Sequence, residues 1–150
     1  MTLYQIQKSI AEKIKELPLI KDHGIGVAFT DAGSIVQEVQ NAVIETEGIY
    51  VNVQSPRWTK ESDASFAPVG NAMITVAVSE KPDLNRARHD DYVVGVELAE
   101  YLARQLNLQT IEGICLCLDG SLEAILDPSA QITTALLQFR FKYQISGELK

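Results

Sequence analysis

The sequence predicts a single α+β domain: a mixed, mostly antiparallel sheet of about five to six strands with about three helices packed on one or both faces. Three observations carry that expectation. Helical and strand patterns follow one another in the order helix, strand, helix, strand, strand, helix, and then three strands. Lys81 to Leu108 is a short polar loop feeding one well-marked amphipathic helix, and the rest of the chain is organised around it. Finally, Gln131 to Ile145 alternates along its whole length, with Ala135, Leu137, Phe139, Phe141, Tyr143 and Ile145 on one side and Thr134, Leu136, Gln138, Arg140, Lys142 and Gln144 on the other. A chain of 150 residues without internal repeat or low-complexity linker fits one core.

Thr2 to Leu17 opens the fold as a helix, with Thr2 and Gln5 as a capping box and Leu3, Ile6, Ile10 and Ile14 as its apolar stripe. Pro18 is expected to end it. Gly24 to Thr30 reads as a half-buried strand through Ile25, Val27 and Phe29. Asp31, Ala32 and Gly33 turn the chain, and Ser34 with Gln37 caps a second helix that reaches about Thr46. Ile49, Val51 and Val53 then form the inner face of the next strand. Gln54 to Pro68 is the longest stretch without a periodic pattern, and it holds the sole tryptophan. Trp58 and Phe66 either fold back as a lid over a sheet edge or, with Arg57, form an arm that meets another subunit.

Val69 to Glu80 is a long strand with Ala72, Ile74, Val76 and Val78 on one face. After the loop from Pro82, Asp90 and Asp91 are expected to cap the organising helix, whose stripe is Val94, Leu98, Tyr101, Leu102 and Leu106. Ile111 to Leu118 is apolar on both faces and is expected at the centre of the sheet. Asp119 and Gly120 signal a hairpin into Leu122 to Leu126, which Asp127 and Pro128 end.

Composition narrows function mainly by exclusion. A formal charge of -7 opposes a general attraction to nucleic-acid phosphates or anionic membranes. No apolar run reaches membrane-spanning length, and the charged N-terminal stretch lacks a secretory pattern. Cys115 and Cys117 sit two apart in a strand pattern, too extended for an easy disulfide, and read as small buried hydrophobes in a reducing compartment rather than as a metal or redox pair.

Gly24-Ile25-Gly26 is no nucleotide fingerprint, because Phe29 stands where a third glycine is needed. No phosphate-binding loop, nucleophile elbow or zinc-protease motif is present. His89-Asp90-Asp91 is the one compact titratable cluster, better explained by helix capping than by metal or acid/base chemistry. Asn85 and Arg86 suit a directional polar contact inside the chain or with a neighbour. No catalytic residue, metal or cofactor is expected. A small-molecule or enzymatic domain would instead gather Asn85, Arg86, His89 and Asp90 around one cavity, and a regulatory interaction domain would need a single partner surface.

Pro82-x-x-Asn85-Arg86 after an extended strand, then the helix around Val96-Glu97-Leu98-Ala99-Glu100 with Ala103 and Leu106, resembles the tail terminator or minor tail proteins of phages and prophages. The opening helix with Ile6, Ala11 and Ile14, and Ile49 to Pro56 followed by Arg57, are similar to the same group, so the likeness covers most of the chain loosely. At Ala87 to Asp91 this chain lacks the glycine-rich turn expected in relatives. The resemblance implies a non-enzymatic structural protein that completes or caps a tail. It implies a homo-oligomeric ring, commonly of six, that contacts other tail or neck proteins without specific nucleic-acid or membrane binding. It also implies location in the host cytoplasm before assembly and in the virion tail afterwards. Arg57, Trp58, Phe66, Asn85, Arg86, Arg140 and Lys142 are the expected subunit contacts.

Overall fold

The computed structural model describes residues 1–30, 42–61 and 68–145, apart from the side chains of Thr30, Arg88 and Ser121. In chain order the elements are α1 (Leu3–Glu16), α2 (Pro18–His23), β1 (Gly26–Thr30), the end of a helix α3 at 42–45, β2 (Ile49–Gln54) and β3 (Arg57–Lys60). They continue with β4 (Val69–Glu80), α4 (Pro82–Arg88), α5 (Gly95–Leu106), β5 (Thr110–Ile111), β6 (Ile114–Cys115), β7 (Cys117–Asp127) and β8 (Ile132–Gln144).

The α+β class and mixed sheet are as expected, but the predicted counts of strands and helices are too low. Six strands form the main sheet in the order β1-β2-β4-β8-β7, with β3 beside β4, and β5 and β6 make a separate two-stranded ribbon. Among the described residues there are five helical segments where three were expected. The undercount has a local cause. Short elements such as α4, of seven residues, or β5, of two, end before their period has repeated more than once, so no sustained pattern marks them.

β1 runs parallel to β2, and the other pairings of the main sheet are antiparallel. One face is dry. Val51 and Val53 of β2, Ile74 and Val76 of β4, and Leu137 and Phe139 of β8 meet Ile6, Ile10 and Ile14 of α1 and Leu98, Leu102 and Leu106 of α5 in a single core. Each such side chain contributes about 1.5–3 kcal/mol of burial, so two amphipathic helices suffice to hold this face. On the opposite face a smaller cluster joins Val43, Tyr50 and Ile132.

The capping box of α1 is present: Thr2 N–H donates to Gln5 Oε1 at 2.8 Å, and Gln5 N–H donates to Thr2 Oγ1 at 3.2 Å. Pro18, expected only to stop this helix, also starts α2 at a position where its missing N–H goes unneeded. Gly24, at φ +62, then closes α2 in the left-handed conformation.

Two strand expectations are corrected. Ile111 to Leu118 is no central strand; it divides into the small ribbon and the start of β7, which lies at the sheet edge. Asp119-Gly120 is no hairpin turn, because β7 runs through it with a register shift between Asp119 and Glu123. Gly120, at φ +76, serves the bulge with the same left-handed backbone that a turn would have used. The second capping box, Ser34 with Gln37, lies outside the described residues.

Candidate functional site

The most densely built polar site lies where β4 ends and α5 begins. β4 alternates, so Glu80 follows Ala72, Ile74, Val76 and Val78 onto the helix side of the sheet, directly beneath the start of α5. There its carboxylate, with a side chain 4% exposed, accepts from Asn85 Nδ2 at 2.6 Å and from the backbone N–H of Gly95 at 3.0 Å, and it pairs with Arg86 Nε at 3.5 Å. A negative group held on a free helix N–H is favourable both as a hydrogen bond and against the helix dipole.

Glu80, not Asp90 or Asp91, is therefore the carboxylate that accepts from the first N–H of α5. The capping residue itself is Val94, which makes no side-chain cap. Asp90 and Asp91 stand in an exposed turn several residues earlier. The sequence offered no local sign of this, since Glu80 precedes Gly95 by fifteen residues. Only the register of β4 against α5 brings them together.

Asn85 gives its amide to both Glu80 and the carbonyl of Val93, the latter at 2.9 Å, and is 1% exposed. Both donors thus fasten the loop before α5, and α4 is the segment between the two anchors. Arg86 bends over the Tyr92 ring at 5.5 Å while pairing with Glu80, which fixes the outer side of the same loop.

Beside this knot is a cleft of about 130 Å³ whose walls include Asp22, His23, Thr46, Asn85, His89 and Asp91. Its size is below the roughly 300–1,000 Å³ of pockets that take drug-sized ligands. His23 lies 3.6 Å from Asp91, and His89 lies 3.6 Å from Glu47, both beyond hydrogen-bond length. The expected gathering of Asn85, Arg86, His89 and Asp90 around one cavity is only partly seen. Asn85 and His89 line the cleft, whereas Arg86 and Asp90 are not among its walls. Among the described residues its one hydroxyl at hydrogen-bond reach of a neighbour, that of Thr46, is given to the carbonyl of Ala42 at 2.7 Å and not to an imidazole.

The other predicted contact residues are dispersed. Trp58 packs against the main core and donates Nε1–H to the carbonyl of Tyr143 at 3.1 Å, pinning β3 across the end of the sheet. Arg57, Arg140 and Lys142 are exposed on the opposite face, where Arg57 and Arg140 flank Met73 and Lys142 pairs with Asn71. Arg140 approaches Asp119 and Lys142 approaches Glu61, each at 4.0 Å, as exposed pairs of small energetic weight. Phe66 lies outside the described residues.

Cys115 is exposed and Cys117 half-buried, both as free thiols, which corrects the expectation of two buried hydrophobes. Partial desolvation, followed by the neighbouring Cys117, pushes the Cys115 thiol above its ordinary value and makes it a poor thiolate. Among the described residues no three His, Cys, Asp or Glu are grouped to hold a metal ion. None of the described helices is long and apolar enough to cross a membrane.

No protein-family model matches the chain. No curated protein matches it in sequence. Among solved structures the chain is similar to one in the virion of a native gene transfer agent particle, with a TM-score of 0.62 at 13% identity, covering 93% of this chain and 94% of that one. At that identity the likeness is one of fold.

Proposed function

We propose that this chain is a non-enzymatic structural protein of a phage or prophage tail, which completes or caps the tail as a ring of like subunits. The observation that supports this most is the likeness in fold to a chain of a virion, which extends over 93% of this chain and 94% of that one. The described surface agrees with it in kind. Glu80, Asn85 and Arg86 are engaged in holding the loop from Pro82 to Val93, and four exposed apolar side chains, Leu118, Leu122, Ile125 and Leu126, lie along the edge strand β7. In this reading Arg57, Arg140 and Lys142 meet neighbouring subunits, Trp58 braces the strand that presents Arg57, and Asn85 with Arg86 holds the second contact loop in shape.

The test is the mass of the purified chain in solution, followed by negative-stain imaging of the chain alone and mixed with phage tails. Rings, free or seated on tail ends, are the expected result. A chain that stays monomeric at high concentration and leaves tails undecorated overturns the reading.

A further inference from the structure

We propose that neighbouring copies of this chain join edge to edge, the second half of β7 (Leu122 to Asp127) in one copy pairing antiparallel with β3 (Arg57–Lys60) in the next. The inference rests on the ring-forming reading above and names the surfaces that make the ring.

The first observation is an unguarded edge. In the order β1-β2-β4-β8-β7, β7 has no neighbour on its outer side among the described residues, and it is eleven residues long. Soluble chains blunt such edges with lysine, proline or a cover. Between Cys117 and Asp127 there is no Lys, Arg or Pro, and Leu118, Leu122, Ile125 and Leu126 are 40%, 39%, 48% and 63% exposed. The bulge after Asp119 interrupts the first part, and the N–H of Leu118 is already given to Asn107 Oδ1 at 3.0 Å. The stretch from Leu122 onward is left for a partner.

Charge selects that partner. β7 has three acids, Asp119, Glu123 and Asp127, and no base. β3 is the reverse, with Arg57 and Lys60 and no acid, and among the described residues it pairs with β4 alone. The faces agree as well. Glu123 pairs with Leu136 and Asp127 with Ile132, on the side of the sheet away from α1 and α5, and Arg57 pairs with Met73 on that same side. Ala124 pairs with core residue Ala135, so Leu122 and Leu126 stand on the helix side, as does Trp58 opposite Ala72. A joined pair therefore sets acids beside Arg57 on one face and leucines beside Trp58 on the other.

Direction is consistent too. β7 and β4 are both antiparallel to β8 and so parallel to each other, while β3 is antiparallel to β4. A neighbour placed by simple displacement in the sheet plane thus offers its β3 antiparallel to β7. The contact uses different surfaces on the two copies, as a closed ring requires.

The test is a charge exchange in the full-length chain, read by sedimentation and imaging. Glu123→Arg and Arg57→Glu, both at exposed positions, are each expected to weaken self-association at least tenfold, and the double variant to regain most of it. Leu126→Lys, which supplies the missing edge guard, is expected to weaken it as well. Each variant is compared at unchanged thermal midpoint. Wild-type rings with all three single variants assembling normally overturn the edge pairing and leave the tail reading standing. A wild-type chain that never assembles, alone or on tails, overturns both.

Discussion

Glu80 is a side chain whose loss would be felt widely, because three donors from two helices, Asn85 and Arg86 of α4 and Gly95 of α5, converge on one buried carboxylate. Removing the acceptor leaves the Asn85 amide and the Gly95 N–H with one partner fewer in a dry site. Glu80→Ala is therefore expected to lower unfolding free energy by about 3–5 kcal/mol, measured by urea denaturation. Glu80→Gln, which keeps one acceptor oxygen, should lose less. Gly48 is a second sensitive position: its φ of +101 suits glycine, and an added Cβ would run into the backbone of Asn85. Gly48→Ala should cost more than about 1 kcal/mol and open the loop before α5 to amide exchange. Asp127 gives a pH-dependent case. The Ser129 hydroxyl, then the Ala130 N–H, hold its carboxyl below the usual aspartate range. A lowered value in the folded state means that its contribution to the β7–β8 turn is complete above the ordinary aspartate value and disappears as pH falls through the lowered one. Amide exchange at Ser129 and Ala130 should thus rise only in strong acid, and Asp127→Asn should abolish that dependence.

Elements differ in how openly the chain declares them. α1, β4 and β8 are long enough to repeat their pattern several times, and their expected core faces are the ones found buried, except that Ile145, expected to continue the inner face of the last strand, lies past its end and is exposed. The local signal at the start of α1 was equally clear, and Thr2→Ala should destabilise the chain by about 1 kcal/mol through the lost cap. β3 was hidden in an aperiodic stretch. Four residues with exposed side chains at three positions form a strand because Trp58 reaches the core and Tyr143, a partner eighty-five residues away. The ribbon of β5 and β6 turns at Glu112 and Gly113, with φ of +52 and +79, as a two-residue hairpin does, although Glu-Gly is a weaker signal than Asn-Gly. Asp119-Gly120 misled in the opposite sense. The same dipeptide serves a turn or a bulge, and the pairing of β7 with β8 decides which.

For the molecule as a whole, charge and edges govern what it does to copies of itself. A chain of net charge -7 repels its like in general, so association needs a local match of opposite sign. Raising salt from about 0.1 M to about 1 M shortens the screening length from about 10 Å to about 3 Å, and the proposed ring contact should shift toward smaller species in sedimentation under that change. Full retention of rings at high salt would argue for a contact without Arg57 and Glu123.

What the amino-acid order determined by itself was whatever repeats within one element: helix stripes, strand faces, the cap at Thr2, an acidic surface and the absence of a recognisable reaction motif. What only the tertiary structure decided was every pairing across elements, from Glu80 beneath Gly95 to the place of β7 at the sheet margin. The reason is physical. Periodicity depends on neighbours three or four positions apart, whereas a buried carboxylate or an open edge is created by register between segments far apart in the chain, and no short window of sequence holds both partners.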